Sequence, residues 1–396
     1  MGASTGVVLM MSRELSCSEK SVLLSGNDMA YLDTAAEGLL LESSRSALLE
    51  YLADKSLGSL GRTHMYQIET EAARAAAHLL GTVENNVTFM ANATDALNLF
   101  GSSIRWTPGD EILITDMEFP SNVVCWLRLR DLGVRVHVIQ TRGGRIELDQ
   151  FVSCLNARTK LVSVSQVSYK TGTQIPFMKE LAREVYRCGA MFLVDATQAL
   201  GRVPVTVDGV DFLVASSYKW LLGMHGAGVI YCAPHLLERL LPGAAGWYSV
   251  TDLFAPDRFE RFSLKMNAGR FAGGMPNFAS LYILRDSIQF FNEAGVARID
   301  SDLRPTVKRA REGIASLGYE LLTPADEVYA SGIISFAHPA PEELGQALLE
   351  RGVVVWAGDG RVRASIHVYN DETDIDCLIA NLRELGALRC STRLLV

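Results

Sequence analysis

A chain of 396 residues, 48% hydrophobic, with 37 Lys and Arg against 45 Asp and Glu, has the length for one large core and a smaller second one. Its formal charge of −8 argues against a phosphate-backbone partner, which needs clustered basic side chains, so nucleic acid is not expected. The seven cysteines are scattered with no CxxC pair; this excludes a disulfide framework and a zinc site as expectations and fits a reducing, cytoplasmic setting.

Taken from the start, GVVLMM is too short for a signal segment and has no basic residue before it. No uninterrupted apolar stretch reaches membrane-spanning length, so no membrane association is expected. Residues 1 to about 25 read as a loosely held arm. Short apolar runs then follow at NVTFM, EILIT, RVHVI, LVSVS, MFLVD, DFLVA and GVIYC, separated by helical or turn-rich segments. This rhythm predicts an α/β fold with about seven buried, mostly parallel strands.

Beyond about Leu240 the texture changes. PGAAGW, APDRF and NAGRFAGGMPN make a loop-rich passage, followed by helices expected near 279–291 and 301–317. IISFAHP, VVVWAG and VRASIHVY read as strands, with amphipathic helices at PEELGQALLERG and ETDIDCLIANLRELG. The expected organisation is an N-terminal arm over 1–30 that joins the small domain, a large domain over 31–260, and a small α+β domain over 261–396.

In an open α/β sheet, ligands sit beyond the carboxyl ends of the strands. MFLVD ends at Asp195, which taken alone reads first as the cap of a following helix. NVTFM runs into ANATDALN, where Ala93 and Thr94 open a helix whose free N–H groups suit an anion. Lys219 is the odd residue: a lysine within VASSYKWLLGMHGAG, a segment that otherwise reads as buried strand and tight turn. A buried ammonium must be paired, deprotonated or covalently engaged. The known covalent use is a Schiff base with a carbonyl, above all pyridoxal 5'-phosphate. That cofactor needs a carboxylate for its ring nitrogen, an apolar face for its ring and donors for its phosphate. Asp195, an aromatic after EILIT, and Thr94 with Ser216 could supply them. The competing reading is a lysine that snorkels to solvent from a strand end.

The succession ANATDALN, MEFPSN, VDATQALG, SSYKWLLG, GGMPN and VRASIHVYN resembles the class V aminotransferase and cysteine desulfurase superfamily, from YLDTAAEG at Tyr31 nearly to the end of the chain. The resemblance implies the type I fold of pyridoxal phosphate enzymes and an active site shared between the subunits of a homodimer. It gives Lys219 the Schiff-base and catalytic role, Asp195 the ring nitrogen, and Gln198 the phenolic oxygen. Phe119 would cover the ring, and Ala93, Thr94, Ser216 and Tyr218 would hold the phosphate. Arg363 matches the arginine that grips the substrate's α-carboxylate. Arg361 and His367 fall on the same strand face, where either would touch substrate, although a packed strand histidine is an equal reading.

Two departures from the family pattern carry weight. Met275 stands where many relatives have a phosphate-binding threonine, so one hydroxyl donor is missing. The desulfurase loop with its sulfur-accepting cysteine is replaced by the short turn of VVVWAGDGRVRAS, which has no Cys. From this the sequence predicts a pyridoxal phosphate enzyme acting on a small amino-acid substrate that is not a cysteine desulfurase. A β-eliminating C–S lyase on a cysteine-type substrate leads; class V transamination, amino-acid epimerisation and an inactive cofactor-binding relative are the alternatives.

Overall fold

The computed structural model describes residue 23 and residues 29–393, with side chains described as far as residue 386. The arm expected over residues 1–30 therefore falls almost wholly outside the described residues. The described chain enters through strand β1 (Ala30–Tyr31) and helices α1 (Ser43–Ser56) and α2 (Arg62–Leu80).

Seven strands then build one sheet: β2 (Val87–Met90), β3 (Glu111–Thr115), β4 (Arg135–Ile139), β5 (Thr159–Ser165), β6 (Met191–Asp195), β7 (Phe212–Ser216) and β8 (Gly228–Cys232). They coincide with the seven apolar runs of the sequence. Their spatial order is β2-β8-β7-β6-β5-β3-β4, and only β8 runs against its neighbours. Strands β3, β7 and β8 are buried at every residue, which is why their sequences are apolar runs and do not alternate. At the edge, β4 is blunted by exposed Arg135 and His137. The strands are connected by α3 (Ala93–Ser103), α4 (Ser121–Leu127), α5 (Leu148–Cys154) and α6 (Met178–Cys188), with α7 (Pro234–Leu237) after β8.

The remainder comprises α8 (Phe278–Ala294), α9 (Val296–Ser316), β9 (Ile333–Ala337), α10 (Pro341–Leu349), β10 (Val353–Val354), β11 (Trp356–Gly358), β12 (Arg361–Ser365) and α11 (Glu372–Arg393). Strands β11, β12 and β9 form an antiparallel sheet in that order, while β10 pairs in parallel with β1. The single strand expected at VVVWAG is thus divided between two partners. The strand expected over VRASIHVY also stops short. After Ser365, whose N–H donates to Leu32 O, the chain turns, and the Asn370 N–H closes that turn on His367 O at 2.9 Å. No helix among the described residues is long and apolar enough to cross a membrane.

Candidate active site

A cavity of about 480 Å³ opens at the carboxyl ends of β6 and β7, against the start of α3. Of the residues singled out in the sequence, Ala93, Thr94, Phe119, Asp195, Gln198, Ser216, Tyr218 and Lys219 line it. Arg361, Arg363 and His367 do not.

Lys219 follows β7 in a turn tight enough to force Leu222 to a φ of 51°. The loop at Ala35–Gly38 lies directly on that turn: Gly38 N–H donates to Tyr218 O at 2.8 Å, and a Cβ on Gly38 would stand 2.1 Å from Lys219 O. Only glycine permits so close a backbone approach. The lysine is 8% exposed, which removes the snorkelling reading. Its Nζ lies 5.3 Å from the centre of the Phe119 ring and 5.7 Å from that of Tyr218, with no hydrogen bond or ion pair to the described residues. Burial, followed by the Arg363 charge, pushes its amine down to about 8 against the opposing pull of Asp195, Asp33 and Glu37. A usable fraction is then neutral, and nucleophilic, near pH 7.

Asp195 ends β6 fully buried, and burial pushes its carboxyl up. Its Oδ1 accepts the Thr197 N–H at 2.9 Å, so it caps the next turn and faces the cavity at once. No cation bonds it. Gln198 donates from Nε2 to Ala35 O and accepts the Trp220 indole N–H, which leaves one amide N–H for a ligand. At the other end, Asn92 caps α3 by accepting the Asp95 N–H. Ser216 Oγ accepts the Ala93 N–H at 3.3 Å, and Thr94 and Ser121 share a hydroxyl pair at 2.7 Å. Tyr218 stacks on His225 with ring centres 4.2 Å apart.

Sequence reasoning missed Glu118, the residue before Phe119. Its buried carboxylate accepts the Ser165 N–H and hydroxyl, the Thr115 hydroxyl and the Asn122 amide, at 2.6–2.8 Å. Burial, aided by Asp195, still pushes it up to about 7 against those donors. Asp33 was missed as well. It stands 3.5 Å from Arg363, and burial pushes its carboxyl up to about 6. Arg363 also donates to Tyr169 O at 2.9 Å.

His367 needs correction. It is fully buried between Trp220 and Phe291, with Nε2 2.9 Å from Trp220 O, and burial beside Arg202 pushes its pKa down to about 3. It does not face the crevice, because the alternation of β12 has ended two residues earlier. A larger concavity of about 680 Å³ lies at the other end of the sheet, behind α6. There Lys179 and His235 are already paired with Asp208 and Asp211, and no nucleophile stands unpaired in an apolar wall.

A buried free lysine, a buried carboxylate on the neighbouring strand and a helix start at the far end define the site of an α/β enzyme that carries a pyridoxal-type cofactor. Residues 30–378 match the Aminotransferase class-V family, and the chain belongs to it. It is 29% identical, over 80% of its length and 84% of the relative's, to a probable cysteine desulfurase of Methanothermobacter thermautotrophicus. The apo structure of a cysteine desulfurase from Thermococcus onnurineus superimposes with a TM-score of 0.86 at 25% identity, covering 93% of this chain and 97% of that one. C-DES, seen with glycine covalently linked to its pyridoxal phosphate cofactor, shares the fold with a TM-score of 0.85 at 21% identity, over 92% and 99% of the two chains.

The two cysteine desulfurases among these relatives overturn the expectation that the protein is not one, since each is similar to it across most of its length. The turn at Gly358–Gly360 is indeed short and without cysteine. It removes a thiolate from that one loop and does not by itself decide the reaction. The cofactor of the family is pyridoxal 5'-phosphate, and the residues present fit it: the unpaired Lys219 amine, the uncompensated Asp195 and the spare Gln198 N–H are the orphaned groups it would satisfy.

Proposed function

We propose that the protein cleaves the C–S bond of a cysteine-type amino acid with the help of pyridoxal 5'-phosphate. The observation that carries the reading is the unpaired Lys219 amine, buried between Phe119 and Tyr218 with Asp195 near enough to act on its charge. The names of the relatives support the choice of bond. When bound, the cofactor supplies an electron sink for a substrate attached through its amino group.

Lys219 would hold the cofactor's aldehyde and would move the proton at the substrate's Cα; its lowered basicity suits both tasks. Asp195 keeps the ring nitrogen protonated, and the spare Gln198 N–H meets the phenolic oxygen. The exposed Phe119 ring would cover one face of the cofactor. Ala93, Thr94, Ser216 and Tyr218 hold the phosphate at the start of α3, where the helix dipole favours it. Met275, 38% exposed, brings no hydroxyl to this group. Arg363 would take the α-carboxylate and so orient the substrate's Cα. The active assembly is a homodimer, supported by the exposed Phe254, Phe259, Phe262 and Met266 in the loop-rich passage.

The test is product analysis on cysteine, cystine and S-substituted cysteines. Sulfide, thiol or persulfide released with pyruvate and ammonia marks β-elimination; released with alanine it marks desulfuration. Either supports C–S cleavage. A keto acid that retains the sulfur, or a D-amino acid, would replace this reading by transamination or epimerisation.

A further inference from the structure

Strand β12 presents two arginines on one face, Arg361 and Arg363, and both are buried, at 1% and 3% exposure. One guanidinium suffices for an α-carboxylate. The two flank the same indole: Trp356 has its ring centre 4.7 Å from Arg361 Cζ and 5.2 Å from Arg363 Cζ. Tyr169 extends this arrangement toward the cofactor cavity. Its ring lies 5.6 Å from Arg361 Cζ and packs edge-on against Phe119 at 5.0 Å, and Tyr169 itself lines the cavity. Arg363 is close enough to Lys219 to depress its amine, whereas Arg361 packs on the Tyr169 ring.

Each guanidinium has one carboxylate partner and donors left over. Two guanidinium groups carry about ten N–H donors between them. Their acceptors here are Tyr169 O and Asp33 for Arg363, and the carbonyl and carboxylate of Asp359 for Arg361. Both Nε atoms are buried without a hydrogen-bond partner. Asp359 is 72% exposed on the hairpin turn, and Asp33 holds its charge weakly. Burial, aided by the Arg361 charge, pushes Arg363 down against the pull of Asp33. Buried like charges with donors to spare are costly unless a ligand completes them.

We infer that the substrate carries a second carboxylate beyond its sulfur, received by Arg361 between Tyr169 and Trp356 while Arg363 receives the α-carboxylate. The inference rests on the C–S cleavage reading and narrows its substrate class to S-substituted cysteines whose substituent ends in a carboxylate. A planar fork flanked by aromatic rings matches a carboxylate in two parallel hydrogen bonds, which a lysine could not reproduce.

The experiment is equilibrium titration of the holoenzyme with two amino acids that have no leaving group, followed by calorimetry and by the visible spectrum of the bound cofactor. L-2-Aminoadipate places a carboxylate where S-carboxymethylcysteine has one; L-norleucine replaces it with a methyl group. The wild type is expected to bind aminoadipate at least about tenfold more tightly, the effect of one good charged contact. In Arg361→Gln the ratio of the two dissociation constants should fall toward one, and Arg361→Lys should restore part of it. Asp359→Asn, which frees the guanidinium, should raise the ratio; this second variant reads the same quantity if Arg361→Gln does not fold. Equal affinities in the wild type, a ratio that survives Arg361→Gln, or an Asp359→Asn ratio that stays unchanged would overturn the inference and leave Arg361 as a clip for the hairpin. The C–S reading fails by a different result, the absence of sulfur release from every cysteine-type compound, and ligand binding is scored independently of it.

Discussion

Two polar centres flank the crevice, and they are built on opposite plans. Around Glu118 the donors converge: four hydrogen bonds meet one buried carboxylate, and nothing is left for a ligand. Around Lys219 and the arginine pair, charged groups are buried with unfilled valences, an unpaired amine at one and two orphaned Nε atoms at the other. A centre that is complete within the protein holds strands β3 and β5 in place; a centre that is incomplete is stabilised by what binds to it.

The largest effect should fall on the incomplete side. Lys219→Ala is expected to fold, to lose the visible absorption of lysine-bound cofactor, and to lose at least about 10²–10⁴ in turnover from the missing proton transfer alone. A variant that kept the covalent cofactor would show that another amine does this work. Next comes Arg363→Ala, which removes charge-assisted hydrogen bonds worth about 1.5–3 kcal/mol, or roughly 10- to 150-fold in kcat/KM. Steady-state kinetics should place much of that loss in KM.

Two pH profiles sharpen the contrast. With an amine pushed down to about 8, uptake of pyridoxal phosphate by the apoprotein should accelerate about tenfold per pH unit below that value and level off above it, because only the neutral amine attacks an aldehyde. Stopped-flow absorbance reads this directly. Glu118 should act on stability instead. Its carboxyl is raised from 4.5 to about 7, so the native state binds the extra proton between those values. The stability it confers is complete below pH 4.5 and is lost as pH rises through 7. Replacing it by Gln should flatten that part of the urea-midpoint profile; an unchanged slope would assign the titration to Asp33 or another carboxyl.

The strands and the lysine were legible in the sequence because each declares itself locally. A buried strand is an apolar run, and Lys219 is a charge placed where the run forbids one. Residues that become functional through distant contacts gave no such signal. Asp33 meets Arg363 across 330 positions, and Tyr169 and Trp356 acquire a role only because β12 is folded against them. His367 fails for the reverse reason. A period of two placed it on the arginine face, but the period lasts only as long as the strand, and β12 ends at Ser365. The turn without cysteine was read correctly as geometry and too far as chemistry.

The separation of Asp33 from Arg363 has a consequence in time as well as in space. Every residue assigned to the cofactor lies between Ala93 and Lys219, on strands and turns that follow one another closely along the chain. The anion grip instead joins residue 33 to residue 363, and β1 reaches its partner only when β10 has been made. During synthesis from the N-terminus, the loop over Lys219 must therefore wait through most of translation for the strand that anchors it. The strand that completes the Asp33–Arg363 pair is thus made after every residue that lines the cofactor cavity.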